Sequence, residues 1–470
     1  MSDNDSNSSK PFPGRMDRRD FLGAALATAT AVSVGGSALG AERAHGAGSG
    51  PAGRSTMDLA LPPMQRVRFG LIGVGMRGAG LLRLLLAVEG AEITAICDTH
   101  GATLDAAVEV VKQATGRAAP AYTGSDEAYK KLLARDDVDA VIIATPWQWH
   151  VPMALAAIES GKQTFVEVPA ALTVDDAWKL VEATERRRVH CMMLENCCYG
   201  RAELMALNMV RAGVLGELTH GEGGYIHDLR WLLKDMKLGE GSWRPQWYTQ
   251  RTANAYPTHG LGPIAQCMGI NRGDRFDRLV SMGAPARSFA AYARREYPAD
   301  HPANKLNFVL SDMSSTLIQT AAGRTILLQH NVSSPRPYSR INLLQGVKGT
   351  FAGYPDRLSL DDHGGGEEWL TDLTEWYTRY DSSLWRRLEK QANEEGGHGG
   401  MDFVMLWRIV DCLRKGLPLD QSVYDAAAWS VIFDLSEQSA RARSAGRDFP
   451  DFTRGLWKNT VPVRIELTAT

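Results

Sequence analysis

Apolar and polar positions follow two different periodicities along the chain, one in each half. Between residues 65 and 213, short apolar runs such as VRFGLIG and VDAVIIATP alternate with segments of helical spacing, including Gly101–Thr115 and Asp126–Ala134. Strands that alternate with helices through short links are typical of a doubly wound parallel sheet. The pattern therefore predicts an N-terminal α/β domain over residues 65–213, with a last strand in VHCMMLENCCYG and a last helix that ends at Gly213.

In residues 214–470, longer segments alternate apolar and polar positions. The predicted strands are ELTHGEGGYIHD, ARSFAAYARRE, SSTLIQTAAGRTILLQHNVS and SRINLLQGVKGTFAG, with AAGR as a hairpin turn. Two late segments, GGMDFVMLWRIVDCLRKG and VYDAAAWSVIFDLSEQSARARSAG, have helical spacing. We expect an α+β substrate-binding domain with a large, mostly antiparallel open sheet that forms one wall of a cleft. Its late helices are expected to pack back on the first domain.

Residues 1–64 differ in composition from the rest and are predicted to be a signal peptide with a flexible linker. Arg18-Arg19 precede Phe21-Leu22 and a weakly apolar Ala/Gly-rich stretch, which resembles a twin-arginine export signal. Gly and Ser in that stretch disfavour the alternative, a membrane anchor. We therefore expect the twin-arginine export machinery as a partner, cleavage between residues 38 and 47, no stable membrane insertion afterwards, and a periplasmic or extracellular protein.

Overall composition narrows the classes of function. The chain has 470 residues, a net charge of −2 and 23% charged residues. It therefore lacks the excess of basic residues that would indicate nucleic-acid binding. The six cysteines have no metal-ligand spacing and several lie in apolar runs, which predicts buried free thiols. Since no His, Asp or Glu cluster has metal spacing either, the sequence predicts no metal.

A glycine turn follows the first predicted strand. Gly73, Gly75 and Gly78 fit the pattern G-x-G-x-x-G between a strand and a helix. The first glycine permits a tight turn, the second lets the backbone approach a pyrophosphate, and the third lets the helix pack on the strand. Asp98 ends the second strand, where a carboxylate binds a ribose diol and favours NAD over NADP. The turn therefore predicts NAD as the cofactor.

Several stretches between about residue 66 and the C-terminus resemble one enzyme family. These stretches are ATPWQWHVPMA, EVPAALT, CMMLENCCYGR, GELTHGEGGYIHDLRW, YPTHGLGP, NRGDRFD, SSPRPYSRINLLQG, GGHGGMDFVMLWR and DFPDFTRG. Through them the chain resembles the glucose-fructose oxidoreductase and inositol dehydrogenase family (Gfo/Idh/MocA) and, within it, glycoside hydrolase family 109, the NAD-dependent α-N-acetylgalactosaminidases. Many sugar dehydrogenases of the wider family carry Glu-Lys-Pro where this chain has Glu167-Val168-Pro169, and their lysine handles the proton of the hydroxyl being oxidised.

The resemblance implies a hydrolysis that runs through oxidation of the sugar. NAD oxidises C3, the resulting ketone acidifies the proton at C2, and the group at C1 departs by elimination. Water then adds at C1 and the hydride returns to C3, so that the net reaction is hydrolysis and NAD is regenerated in each turnover. Because Val168 has no acid–base group, another residue must handle the proton of the C3 hydroxyl.

Four residues are the candidate catalytic groups. His259 in YPTHG is the best candidate for the C3 hydroxyl proton, because an imidazole can take and return a proton near neutral pH. Its alternative is a buried core histidine. Tyr199 could act at the C2 proton with help from a positive charge, and Tyr256 could support His259. The resemblance places Glu167 beside the nicotinamide, with the cap of a helix N-terminus as its alternative role.

The resemblance also implies two sets of binding residues. Arg244, one of the substrate contacts, could bond sugar hydroxyls through its fork of donors, or could form a surface salt bridge instead. The predicted cofactor contacts are Gly73, Gly75, Met76, Arg77, Gly78, Asp98, Trp147, Gln148, Trp149, His150, Glu167, Val168 and Asn196. The predicted substrate contacts are Tyr225, Arg244, Tyr256, Pro257, Thr258, His259 and Tyr338.

Three functions remain open at the level of the sequence. The main expectation is an exported NAD-dependent glycosidase that acts on α-linked N-acetylgalactosamine. The alternatives are an NAD-dependent sugar oxidoreductase of the Gfo/Idh/MocA family and a non-enzymatic NAD- or sugar-binding module. Free NAD should be scarce outside the cytoplasm, which favours an enzyme that carries and regenerates its cofactor. Because exposed sheet faces often pair in this family, a homodimer is a further expectation.

Overall fold

The computed structural model describes residues 54–234, 243–363, 366–462 and 465–466, so the predicted export signal lies outside the described residues. The first half contains the strands β1 (Val67–Ile72), β2 (Ala91–Cys97), β3 (Ala121–Tyr122), β4 (Ala140–Ile143), β5 (Gln163–Val166) and β6 (Cys191–Met193). They form one sheet in the order β3-β2-β1-β4-β5-β6, with every neighbouring pair parallel. This confirms the predicted doubly wound sheet.

Helices connect these strands, and most lie close to their predicted positions. The helix predicted over Asp126–Ala134 is shorter than expected. The segment VHCMMLENCCYG forms only β6 and then a 3₁₀ turn, Asn196–Tyr199, in which Glu195 accepts the N–H of Cys197. The helices are α1 (Met76–Leu86), α2 (Gly101–Thr115), α3 (Tyr129–Leu133), α4 (Trp147–Glu159), α5 (Val174–Arg187) and α6 (Arg201–Arg211).

An eight-stranded sheet occupies the second half of the chain. Its strands are β7 (Leu218–Ile226), β8 (Phe276–Gly283), β9 (Ser314–Thr320), β10 (Thr325–Asn331), β11 (Leu343–Gly346), β12 (Gly349–Ala352), β13 (Arg357–Leu360) and β14 (Arg447–Asp448). The order is β13-β12-β11-β7-β10-β9-β8-β14, in which β7 and β10 are parallel and the other neighbours are antiparallel. This confirms the predicted large, mostly antiparallel sheet.

One predicted strand of the second half is wrong. The segment ARSFAAYARRE forms helix α9, because Phe289 and Ala293 share one buried face at helical spacing. The last predicted helix is divided in two at Val431. The helices of this half are α7 (Trp243–Tyr248), α8 (Thr258–Cys267), α9 (Ser288–Glu296), α10 (Thr374–Tyr380), α11 (Ser383–Glu395), α12 (Met401–Lys415), α13 (Val423–Ser430) and α14 (Ile432–Arg441).

Helix α8 packs closely on β7, and this contact positions the segment YPTHG. A Cβ on Gly260 would lie 2.2 Å from the backbone nitrogen of Gly224, and a Cβ on Gly223 would lie 2.4 Å from the carbonyl oxygen of Gly260. Only glycine lets two backbones approach so closely. The contact brings His259, the neighbour of Gly260, to within 5.5 Å of the Tyr225 ring on β7, measured between ring centroids.

Late helices contact the first half of the chain. Helix α12 packs on α1 and on the 3₁₀ turn, and α13 packs on α5. All six cysteines are free thiols, as predicted, and all except the half-buried Cys267 are buried. Within the part of the chain that the structure describes, every helix is too short or too polar to cross a membrane.

Candidate active site

The glycine turn between β1 and α1 has the geometry that a dinucleotide requires. Gly73 has a φ of +85°, and a Cβ on Gly78 would lie 1.9 Å from the carbonyl oxygen of Gly73. A Cβ on Gly75 would meet no atom within 4 Å, so this side of the turn is open to a ligand. Asp98 accepts the backbone N–H of Val74 at 2.8 Å and so stands at the turn. These features fit NAD, because the open turn and the helix N-terminus can bind its phosphates and the carboxylate can bind its ribose.

Arg77 joins this turn to helix α12. Its Nε donates to Glu167 at 2.7 Å, and its two terminal nitrogens bind Asp402 at 2.7 and 2.9 Å. Asp402 also accepts Asn196 Nδ2 at 2.7 Å and lies 2.7 Å from His398 Nδ1. Burial disfavours its charged form, but Arg77 and His398 hold the pKa of the Asp402 carboxyl below its usual range. The network fixes Arg77, Glu167 and Asn196, three of the predicted cofactor contacts.

His259 begins the predicted catalytic cluster. Its Nδ1 lies 2.9 Å from both carboxylate oxygens of Glu195, which also accepts the N–H of Cys197. The Glu195 side chain is fully buried, whereas that of His259 is 11% exposed. Burial disfavours the carboxylate, yet the contact with His259 keeps the pKa of Glu195 below its ordinary value. Because Nδ1 is occupied, Nε2 is the nitrogen left for a substrate proton.

Aromatic side chains surround His259. The Tyr225 ring centroid lies 4.4 Å from that of Tyr256, and the Tyr225 hydroxyl lies 3.1 Å from His227 Nδ1. The His227 ring lies 4.9 Å from the ring of Tyr338. Burial raises the pKa of the Tyr225 and Tyr256 hydroxyls. Both hydroxyls therefore stay protonated and can donate hydrogen bonds at neutral pH.

Arg244 lies next to these tyrosines. Its guanidinium sits over the Trp243 ring at 4.3 Å from the centroid. The Arg244 side chain is half-buried, and its role as a substrate contact stays a prediction. Pro257 and Thr258, also predicted substrate contacts, are buried at the start of α8.

The predicted cofactor segment Trp147–His150 is partly inaccessible. Trp147 is buried among other aromatic rings. His150 is also buried, and each of its ring nitrogens lies 2.8 Å from a backbone carbonyl oxygen. Gln148 is exposed, Trp149 is half-buried and Met76 is exposed. These last three side chains have accessible surface, and the roles of all five residues as cofactor contacts stay predictions.

Tyr199 and Glu167 have surroundings that the sequence did not indicate. The Tyr199 side chain is fully buried, its hydroxyl lies 3.3 Å from Asp420, and burial raises its pKa well above the ordinary value. Arg408 binds the same Asp420, so the hydroxyl belongs to a buried ionic cluster. A role for Tyr199 at C2 stays a prediction. Glu167 does not cap a helix, because Thr173 caps α5.

Glu195, Cys197 and His259 bring three potential metal-binding atoms within 4.8 Å of one another, a group that the sequence spacing did not reveal. The Glu195 oxygens are already engaged by His259 and by the N–H of Cys197. Burial also raises the pKa of the Cys197 thiol well above its ordinary value, which disfavours the thiolate that binds metals. We therefore assign these contacts to the orientation of His259.

Four residues of this region have no role predicted from the sequence: Glu195, His227, His398 and Asp402. Glu195 could have been found as a carboxylate that directly follows an apolar strand, where a buried charge needs a partner. The other three have no such local signal. His227 and His398 lie in stretches that carry the family resemblance, but their roles depend on contacts with residues distant in sequence.

Each of the two halves of the chain is similar to a known protein family. Residues 67–195 match the oxidoreductase family model with an NAD-binding Rossmann fold, and residues 199–459 match the C-terminal domain of glycosyl hydrolase 109. The chain is 54% identical over 453 residues to glycosyl hydrolase family 109 protein 1 of Shewanella sp. (strain ANA-3), covering 95% of this chain and 98% of that one. It is 53% identical over 452 residues to the alpha-N-acetylgalactosaminidase of Shewanella oneidensis, with the same coverage.

Solved structures share the fold at low sequence identity. Levoglucosan dehydrogenase in complex with NADH and levoglucosan aligns with a TM-score of 0.62 at 16% identity, covering 82% of this chain and 100% of that one. Aldose-aldose oxidoreductase from Caulobacter crescentus aligns with a TM-score of 0.58 at 16% identity and the same coverage. The fold and the glycine turn define an NAD-binding protein of the Gfo/Idh/MocA type. The chain belongs to glycosyl hydrolase family 109, as its sequence motifs predicted.

Proposed function

We propose that the protein hydrolyses α-linked N-acetylgalactosamine from glycosides while NAD stays bound. The observation that carries this proposal is the combination of Val168 with the His259–Glu195 pair. Val168 is 3% exposed and has no acid–base group, whereas His259 is held by a buried carboxylate beside the predicted substrate contacts. The name of the Shewanella oneidensis relative supports the choice of sugar.

Each side chain of the cleft has a role in this proposal. Bound NAD supplies hydride transfer at C3 of the sugar. His259 Nε2 takes the proton of the C3 hydroxyl during oxidation and returns it at the end of the reaction. The protonated hydroxyls of Tyr225 and Tyr256 donate hydrogen bonds to sugar oxygens, and Arg244 adds further donors. Tyr199 has no role in this proposal, because its side chain is fully buried and its hydroxyl lies 3.3 Å from Asp420.

The proposed function is tested with purified protein and 4-nitrophenyl α-N-acetylgalactosaminide. We expect nitrophenol release without net formation of NADH, and near-stoichiometric NAD in washed protein after denaturation. The physical reason is that a regenerated cofactor never has to leave its site. NADH that accumulates in step with substrate consumption would show a sugar oxidoreductase instead. Hydrolysis by protein free of any nucleotide would contradict the role of NAD.

Gly78→Ala is expected to abolish both NAD retention and hydrolysis. The added Cβ would lie 1.9 Å from the carbonyl oxygen of Gly73, so the turn and helix α1 must separate. Such overpacking costs ~1–3 kcal/mol and occasionally more. Gly80→Ala is the matched control on the same helix, because its Cβ would meet no atom within 4 Å. Equal NAD contents in the two purified variants would contradict the assigned geometry of the turn.

We also propose export by the twin-arginine route to the periplasm or the exterior. The pair Arg18-Arg19 supports this proposal, as does a cofactor that is regenerated where free NAD is scarce. Replacement of both arginines by lysine should leave active, NAD-loaded protein in the cytoplasm. Cell fractionation measures the outcome, and normal export of the double variant would exclude this route.

A further inference from the structure

Residues 54–64, which we call the strap, run along helices of both halves of the chain. Arg188, directly after α5 in the first half, donates to the carbonyl oxygen of Arg54 at 2.7 Å. Further along, the backbone N–H of Met64 donates to the carbonyl oxygen of Leu413 on α12 at 3.2 Å. Apolar side chains of the strap are buried between these two contacts. The strap therefore joins the two halves of the protein.

A small cavity lies beside the strap. Thr56 of the strap lines it together with His190, which directly precedes β6, and Gln421, which lies two residues before α13. The cavity offers about 10 Å³ to the centre of a water-sized sphere. A buried water needs a space of ~10–15 Å³. The cavity is therefore large enough for one water molecule and too small for a larger ligand.

Three buried polar atoms of the cavity lining need a hydrogen-bond partner. Within the described part of the chain, no group pairs with Thr56 Oγ1, His190 Nε2 or Gln421 Oε1. These residues are only 5%, 6% and 2% exposed. Buried polar atoms nearly always have a partner, and a buried water typically makes about three hydrogen bonds. One water in the cavity would satisfy all three atoms.

The donors and acceptors of the three side chains match one water. Gln421 Nε2 donates to the carbonyl oxygen of Glu195 at 3.2 Å, which leaves Gln421 Oε1 as an acceptor. Burial lowers the pKa of His190 to about 4, so the ring is neutral at pH 7 and its Nε2 can accept. The Thr56 hydroxyl can donate. The water then accepts from Thr56 and donates to the other two side chains.

The cavity is connected to Glu195 from two sides. Strand β6 leads along the backbone from His190 to Glu195, and the Gln421 amide holds the Glu195 carbonyl oxygen. We propose that one buried water bridges Thr56, His190 and Gln421 and so ties the strap to the backbone of Glu195, the residue that orients His259. The inference goes beyond the proposed function, because it holds whether or not the protein hydrolyses a glycoside.

A crystal structure of the purified protein, at a resolution that shows ordered water, tests the site directly. We expect a single water within about 2.7–3.2 Å of Thr56 Oγ1, His190 Nε2 and Gln421 Oε1, which is the range of good hydrogen bonds. A cavity without electron density for water overturns the inference. Direct hydrogen bonds among the three side chains overturn it as well.

Thr56→Val and Thr56→Ser are a matched pair that tests the connection to Glu195. Valine has the shape of threonine without the hydroxyl, whereas serine keeps the hydroxyl. In Thr56→Val, we expect amide hydrogen exchange to become about 2–10-fold faster in the strap and at Cys197, whose N–H donates to the Glu195 carboxylate. That factor corresponds to the net contribution of one hydrogen bond. Thr56→Ser should exchange at the wild-type rate at Cys197.

Mass spectrometry of peptides after exchange measures both segments, and β1 (Val67–Ile72) is the internal control for a general loss of stability. Faster exchange in the strap alone, no change in either segment, or an equal rise in β1 would each overturn the connection to Glu195. Bound NAD, measured after denaturation, reports whether each variant is folded. If Thr56→Val does not fold, the crystal structure of the wild-type protein decides the question.

Discussion

Replacement of His259 by alanine is expected to lower kcat by about 10²–10⁴-fold while the protein keeps its NAD. The reason is that His259 Nε2 is assigned to the proton of the C3 hydroxyl, whereas the cofactor turn is formed by residues 73–78 in the other half of the chain. Steady-state kinetics on the nitrophenyl glycoside, together with NAD content after denaturation, measures both parts. A loss of less than tenfold would remove His259 from this role.

Glu195→Gln tests whether the buried carboxylate acts through His259. The amide still accepts a hydrogen bond but loses the charge that faces the imidazole at 2.9 Å. We expect a smaller loss of kcat than in His259→Ala, with KM close to that of the wild type, because Glu195 positions His259 and does not touch the substrate. A raised KM with unchanged kcat would instead assign Glu195 to substrate binding.

The fold could be predicted wherever local pattern and tertiary packing agree. Helix α2 occupies its predicted residues, Gly101–Thr115, because its buried side chains recur at helical spacing and Gly116 ends it in the left-handed region. The segment of helix α9 resembles a strand in the sequence because its short apolar run, Phe289–Ala293, does not distinguish a strand from a helix. Its burial of Phe289 and Ala293, four residues apart, is set by contacts with the rest of the domain.

The candidate site could be predicted only where the functional groups lie within one short sequence motif. Gly73, Gly75 and Gly78 act through their own backbone, so a short pattern is sufficient. The hydrogen-bond partners of functional side chains could not be predicted in this way, because they come from parts of the chain that are distant in sequence. Asp402 binds Arg77 across 325 residues of sequence, and no spacing rule links the two positions. Tyr199 is the opposite case, because it lies in a recognisable motif but its hydroxyl belongs to a buried ionic cluster with Asp420.

Hydrolysis in heavy water is expected to place deuterium at C2 of the released sugar in every turnover. The elimination route breaks the C2–H bond and later rebuilds it with a proton from solvent. Displacement at C1 by a pair of carboxylates never breaks that bond and gives no exchange. Hydrogen at C3 should be retained, because a hydride held on the cofactor does not exchange with water. Free N-acetylgalactosamine, incubated in the same heavy water without protein, is the control for exchange after release.

The central claim is that this chain, with Val168 in place of a lysine, hydrolyses glycosides by oxidation and elimination. Proton NMR and mass spectrometry of the sugar released in heavy water test it most directly. The account predicts full deuterium incorporation at C2 together with an unlabelled C3. Glycoside hydrolysis that leaves C2 without deuterium would contradict the elimination route, and with it the role given to His259.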